Sequence, residues 1–377
     1  MLCAPDSFKD ALPARVAAEA MAEGVRAAGG EPDICPVADG GEGTVDAVVS
    51  AAGGERIETE VAGPLGQSVT ATWGLIDGPA GVTAVIEMAA ASGLERLEPG
   101  QRDPEKTTTL GTGELIRAAL DHGVERILVG IGGSATCDGG TGMAAALGVK
   151  FFDEAGQALG PAISGGQLRS IARIESTSLD SRLADVELVV ACDVNNPLCG
   201  DQGAARIYGP QKGASPEAVE RLEQGLRQLA ERWRCDLGRD VAEQPGAGAA
   251  GGLGGGLVAF LDARLQPGIE LVLEAVDFAG RVDSADLCLT GEGCLDRQSL
   301  AGKACLGVAR AASRAGVKTV ALVGAAGEGA EECLAAGLAE YYVIGEGLAP
   351  EQSIRRAGAL LTEAATEAVD RWKQRLK

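Results

Sequence analysis

The chain of 377 residues carries one histidine, His122, and none of its ten cysteines forms a CxxC pair. Structural zinc sites draw on such ligands at short spacing, so that class is excluded. Aromatic residues make up only 3%, which leaves a core to be built from Ala, Val, Leu and Ile. Positive charge is scarce: 33 Lys and Arg stand against 54 Asp and Glu, a formal net charge of −21. Nucleic acids and anionic membrane surfaces bind through basic patches, so neither is an expected partner. The longest uncharged stretch, Pro245 to Leu261, is mostly Gly and Ala and too weakly apolar to span a bilayer. No basic-then-apolar leader opens the sequence. A reducing cytoplasm is the expected compartment.

Two phosphate-binding signatures are also missing. Gly302-Lys303 is followed by Ala304, so the hydroxyl of a P-loop is absent. Gly246, Gly248 and Gly251 match GxGxxG, but Gln244-Pro245 stands where a buried strand is required. These glycines are expected to permit close helix packing or to line a cleft.

Glycine, in contrast, is plentiful at 56 residues, and 46% of the chain is hydrophobic. The glycines cluster after short apolar runs. Arg126–Ile131 leads into Gly132–Gly140, Ala285–Thr290 into Gly291–Gly293, Lys318–Val323 into Gly324–Gly327, and Tyr341–Ile344 into Gly345–Gly347. Apolar strands alternating with helices predict a parallel sheet covered on both faces, with ligands at the carboxyl ends of the strands. Arg56–Ala62, Ser68–Ile76 and Val82–Glu87 instead read as hairpin-like strands. A strand at Glu187–Ala191 and a helix near Pro216–Trp233 follow, and a last helix runs from Pro350 to about Arg371. The expected organisation is two discontinuous α/β domains: 1–55 with 105–150 and 280–377, and an inserted domain of 56–104 with 151–279.

Four segments carry candidate chemistry. Asp39-Gly40-Gly41-Glu42-Gly43-Thr44 sets two carboxylates among three glycines ahead of a helix. Its amides can face an anion and its acids can hold magnesium through water, or the segment is a capped turn. Gly132 to Gly140, with Ser134 and Thr136, has the composition of a phosphate cradle that supplies amides and hydroxyls as donors. Asp193, with Asn195, Asn196 and Pro197, follows a strand; it can take a proton from an attacking hydroxyl, or form an Asx turn. Lys212, within Gly209–Gly213, can balance charge on a transferring phosphoryl group or simply be solvated. Gly111 or Thr112 is expected to cap a helix, and His122 to complement that helix's C-terminus.

Taken in order, Ala4-Pro5-Asp6-Ser7-Phe8-Lys9, ADGGEGT from Ala38, Gly63-Pro64-Leu65-Gly66, TTTLGTGELI from Thr107, IGGSATCDGG from Ile131, DVNNPL from Asp193, GPQKGA from Gly209, PGAGAAGGLGGGL from Pro245 and TGEGCLDRQSLAGKA from Thr290 resemble the bacterial class I glycerate kinase family over nearly the whole chain. The resemblance implies a flavodoxin-like domain, a second α/β domain and an active site in the cleft between them. It implies ATP and Mg2+ as cofactors, D-glycerate as substrate and phosphorylation at the 2-hydroxyl. A homodimer is compatible with it. On this basis Asp193 is expected to be the base, with Lys9 and Lys212 offsetting phosphate charge. Gly132, Gly133, Ser134, Gly139, Gly140, Thr290, Gly291, Glu292 and Gly293 would bind the nucleotide. Asp6, Ser7, Asn195 and Asn196 would bind substrate, and Asp39, Glu42 or Asp138 would reach magnesium. The alternatives are a 3-phosphoglycerate-forming kinase, a flavodoxin-like oxidoreductase and a non-catalytic nucleotide sensor. The chain departs from the family pattern at Asp10 (commonly Gly or a similar small residue), Cys137 (Asn), Ser299 (Thr) and Ala304 (Pro). It also opens about two residues short of the usual first strand, which implies a truncated start.

Overall fold

The computed structural model describes residues 1–301 and 303–375. Gly302, the glycine of the Gly302-Lys303 pair, lies outside the described residues. The chain divides into two compact units, one of residues 1–39, 43–54 and Pro267 onward, the other of 40–42 and 55–266.

Among the described residues, the first unit is built on a five-stranded parallel sheet. Its spatial order is Glu340–Val343, Thr319–Ala326, Cys288–Leu295, Leu2–Cys3, Asp33–Ile34. Counted along this unit alone, that is the 2-1-3-4-5 order of flavodoxin-like sheets, whose switch point lies between the first and third strands. Here those strands are Leu2–Cys3 and Cys288–Leu295. Successive residues of a strand face opposite sides. Leu322 accordingly joins one apolar layer with Met21, Leu361 and Val369, while Ala321 and Val323 join another with Leu306 and Ala309. The helices Ala14–Ala27 and Pro350–Arg375 meet at Gly24, where a Cβ would stand 2.4 Å from the Thr362 carbonyl oxygen.

The second unit holds a six-stranded mixed sheet in the order Arg264–Gln266, Glu187–Ala191, Arg126–Gly130, Gly81–Glu87, Ser68–Gly78, Glu55–Ala62. The first four are parallel; the last two complete an antiparallel meander, as the hairpin-like pattern predicts. Trp73, Trp233, Phe151 and Phe260 supply bulk to a core otherwise made mostly of aliphatics. Phe260 meets Phe151 and Trp233 edge-on, at 5.9 and 5.8 Å between ring centroids.

The division differs from the expected one in a single large block. Residues 105–150 belong with the second sheet, because Arg126–Gly130 pairs with both Gly81–Glu87 and Glu187–Ala191. Residues 267–279 belong with the first unit. A buried parallel strand reads the same whichever sheet receives it, so its periodicity gives no sign of its neighbours.

Candidate functional site

The second unit brings most of the candidate residues to one sheet edge. Gly130 and Ala191 are paired neighbours at the carboxyl ends of adjacent parallel strands. The chain leaves them as Gly132–Gly140 and Asp193–Pro197, so both loops emerge side by side. A third segment of the unit covers the same place. A Cβ on Gly130 would lie 2.5 Å from the Gly40 carbonyl oxygen, and one on Gly132 would lie 3.2 Å from the Gly41 Cα. Glycine is required there because backbone crosses backbone.

Within the first loop, burial separates surface from scaffold. Gly132 and Gly133 are exposed and Ser134 is 8% exposed, whereas Ala135 to Gly140 are buried. Gly133 sits at φ +71. Its carbonyl accepts from the Leu94 amide at 2.8 Å, and the Ala135 amide donates to Ser92 at 2.9 Å. Gly132 and Gly133 are thus the open part of the loop, with Ser134 at its margin. Gly139 and Gly140, expected to contact the nucleotide, are instead packing positions. A Cβ on Gly139 would strike Leu229, and one on Gly140 would press on Gly256 and Leu253. The Gly-rich 246–256 segment buttresses this loop from beneath: the Gly139 amide donates to the Gly251 carbonyl at 3.1 Å, and a Cβ on Gly251 would lie 2.0 Å from the Thr136 oxygen.

Asp138, a candidate magnesium ligand, does not fit that role. It is 0% exposed, and its carboxylate accepts from the Thr109 amide and hydroxyl, both at 2.7 Å, and from the amides of Gly140 and Gly142 at 3.2 and 3.3 Å. Burial raises its pKa, and these donors oppose the rise. Asp138 therefore ties the start of the helix Leu110–Asp121 to that of Thr141–Ala146. The Thr107–Thr109 run in the sequence is the visible sign of this partner, though spacing did not pair it with Asp138. Asp138→Ala is expected to lower stability by about 3 kcal/mol, since it leaves three buried amides without an acceptor. Denaturant unfolding checks this; a variant with unchanged midpoint but altered magnesium dependence would restore the metal role.

The Thr112 hydroxyl pairs with Ser92 at 2.9 Å rather than capping, and a Cβ on Gly111 would strike the Ala62 oxygen. His122 is the C-terminal cap of the helix, with Nδ1 2.9 Å from the Ala118 oxygen.

Asp193 and Asn195 are exposed. Asn196 is already engaged: its Nδ2 donates to Gln202 O at 2.8 Å, the Tyr208 hydroxyl donates to its Oδ1 at 2.7 Å, and its carbonyl accepts from Gly248 at 2.9 Å. It holds the loop's shape. Lys212 is not the solvated or phosphate-facing lysine of either sequence reading. It is 1% exposed, and its Nζ donates to Ser134 Oγ and Thr136 O, both at 2.7 Å. Burial lowers its pKa, while Cys137 and Asp138 act in the opposite direction.

In the first unit, Asp6 and Glu292 stand at the switch point. The Asp6 amide donates to the Gly291 carbonyl at 2.8 Å, and the Ser7 amide donates to the Asp6 carboxylate at 2.6 Å. Burial, then the charges of Asp39 and Glu292, push Asp6 up to about 7 against the pull of the Ser7 amide. Glu292 is 6% exposed, accepts from Ser299 Oγ at 2.7 Å and is likewise raised, chiefly by burial. Ser299, one of the departures from the family pattern, thus keeps the hydroxyl that Glu292 needs.

Thr290 and Gly291 are not at a turn. The strand continues through Leu295 in register with Thr319–Ala326, and Thr290 is buried with its hydroxyl on the Ala4 oxygen at 2.8 Å. Gly291 permits close packing, since a Cβ would lie 2.2 Å from the Leu322 oxygen. Gly293 is half-buried and lines a cavity of about 210 Å³ with Phe8, Lys9, Gly324, Ile344 and Ile354. Lys9 is exposed there, and Asp10 adopts φ +64, a conformation that glycine takes more readily. Among the described residues no three His, Cys, Asp or Glu side chains are grouped to hold a metal, and no helix is long and apolar enough to cross a membrane.

Known proteins are similar to this chain over nearly its whole length. The model of the Glycerate kinase family matches residues 1–373. Glycerate kinase of Halalkalibacterium halodurans is 46% identical over 368 residues, 97% of this chain and 96% of its own. Glycerate 2-kinase of Escherichia coli K12 is 49% identical over 318 residues, 83% and 82% of the two chains. A crystal structure named for glycerate kinase 2 from Salmonella typhimurium LT2 superposes with a TM-score of 0.89 at 43% identity, covering 99% of this chain and 98% of that one.

Proposed function

Because the chain belongs to the glycerate kinase family, we propose that it transfers the γ-phosphoryl group of ATP to D-glycerate, giving 2-phospho-D-glycerate and ADP by direct in-line displacement. The family is one of kinases, which removes the oxidoreductase reading. One observation carries the mechanism: the adjacent strands Arg126–Gly130 and Glu187–Ala191 end in register and deliver exposed Gly132 and Gly133, the largely buried Ser134 beside them, and exposed Asp193 to one edge.

Phosphoryl transfer needs positioning and charge stabilisation more than covalent chemistry. The amides of Gly132 and Gly133 and the Ser134 hydroxyl are donors suited to phosphoryl oxygens. Asp193 accepts the proton of the attacking glycerate hydroxyl while that oxygen bonds phosphorus and the bond to the β–γ bridging oxygen breaks. Asn195, exposed beside it, is the residue to orient the glycerate. With Asp138 enclosed, Asp39 and Glu42 remain as the acids to reach magnesium. An ion arriving on ATP needs only one or two protein carboxylates, because phosphates and waters complete its shell; when bound it would neutralise charge on the β- and γ-phosphates. Within the first unit, Asp6, Ser7 and Lys9 are candidates for ligand contacts of their own. The test is whether ATP turnover depends on D-glycerate and which hydroxyl carries the phosphoryl group afterwards.

A further inference from the structure

Lys212 lies too deep to touch a ligand, yet both of its described bonds go to the loop that presents Ser134. An ammonium group has three donors and no acceptor. At 2.7 Å, Ser134 Oγ must therefore accept from Lys212 Nζ. A hydroxyl has one proton, and with Lys212 occupying a lone pair that proton has to point away from the lysine. The second bond, from Nζ to Thr136 O at 2.7 Å, fixes the ammonium between two points of the same loop. Ser134 is 8% exposed and follows two exposed glycines, so the side away from Lys212 includes the open face of the loop. Its peptide is also anchored, since Gly93 and Ser134 form an antiparallel bridge.

We infer that Lys212 is a positioning residue which makes the Ser134 hydroxyl an obligate donor and so selects an anion, a phosphoryl oxygen of the nucleotide, at the loop Gly132–Ser134. The inference rests on the reading of this loop as the phosphate site. The buried cation also polarises the hydroxyl, and charge-assisted bonds of this kind are stronger than neutral ones. A solvent-facing lysine would attract phosphate without regard to the serine. A buried one works only through it, and that difference can be measured.

The full chain, its Ser134→Ala, Ser134→Thr and Lys212→Met variants and the Ser134→Ala/Lys212→Met double variant are titrated by calorimetry with a non-hydrolysable imido analogue of ATP and Mg2+, alongside thermal melts. Ser134→Ala is expected to weaken binding about tenfold, as for a lost hydrogen bond to a charged group, and to lower the melting temperature, because the buried Lys212 ammonium loses an acceptor; the titrations are therefore run well below each melting temperature. Ser134→Thr keeps the donor and most of the affinity. Lys212→Met is expected to weaken binding by a similar factor, and the double variant to bind no worse than the weaker single one. Additive losses would mean that Lys212 acts independently of the serine, and would overturn the inference. If Lys212→Met does not fold, the serine pair decides: Ser134→Ala binding as well as wild type removes the hydroxyl from the phosphate and the inference with it. A wild-type protein that does not bind the analogue at all would instead contradict the parent reading of the loop.

Discussion

Asp193→Asn is expected to lower kcat at least about 100-fold, the lower range for loss of a general base, with ATP-analogue affinity and melting temperature little changed. Asparagine keeps the size and polarity of aspartate but cannot take the glycerate proton. The loop's shape rests in part on Asn196, through Gln202, Tyr208 and Gly248, and Asp193 is exposed within it, so the isosteric amide removes the charge with the least change of shape. Steady-state kinetics with saturating ATP and D-glycerate give the result directly. A near-wild-type kcat would remove Asp193 from the mechanism and turn attention to Asp6, whose carboxyl, pushed up to about 7, is matched to base catalysis near neutral pH.

Gly133→Val is expected to weaken binding of the ATP analogue on the order of 10-fold or more. Two effects act together. Valine is β-branched and is poorly accommodated at φ +71, and strain of this kind costs of order 1–3 kcal/mol. Its Cβ would also lie 3.2 Å from the Ala89 Cβ, which crowds the loop proposed to offer its amides to phosphate. Gly255→Ala is the control. There the added Cβ would press at 3.0 Å on the Ala247 oxygen and at 3.2 Å on the Trp233 ring, inside the core, so stability should fall more than affinity. Calorimetric titration well below each melting temperature separates the two. A folded Gly133→Val protein with wild-type affinity would reduce the loop to a strand–helix connection, leaving Gly40–Glu42 or Gly293 as the place to look for phosphate.

The sequence made the parallel strands and the meander legible because each has a strong periodicity and turn residues at its ends. Asp193 and Gly132–Ser134 were legible as candidates because ligand sites of parallel sheets lie at the carboxyl ends of the strands. Sheet membership was not legible: the apolar run Arg126–Gly130 suits either sheet, and only pairing decides. Motif membership also concealed depth. Asp138, Gly139 and Gly140 continue the loop that begins at Gly132, yet they turn inward, because a carboxylate four residues past Ser134 finds Thr109 and two helix-start amides as partners. Lysines are mostly exposed, so nothing in the Gly209–Gly213 turn signalled that Lys212 is enclosed. Thr290 and Gly291 resembled a turn because glycine marks turns, but it also marks the close approach of neighbouring strands.

Phosphorus NMR of the full chain with ATP, Mg2+ and D-glycerate tests the central claim most directly. The account predicts that the γ-phosphate signal is replaced, one for one with ADP, by a phosphomonoester split into a doublet by the single proton on carbon 2, and that no ADP forms when D-glycerate is left out or the metal is chelated. A triplet from the two protons on carbon 3 would move the transfer to the other hydroxyl. ADP and inorganic phosphate appearing at the same rate with and without D-glycerate would contradict the account.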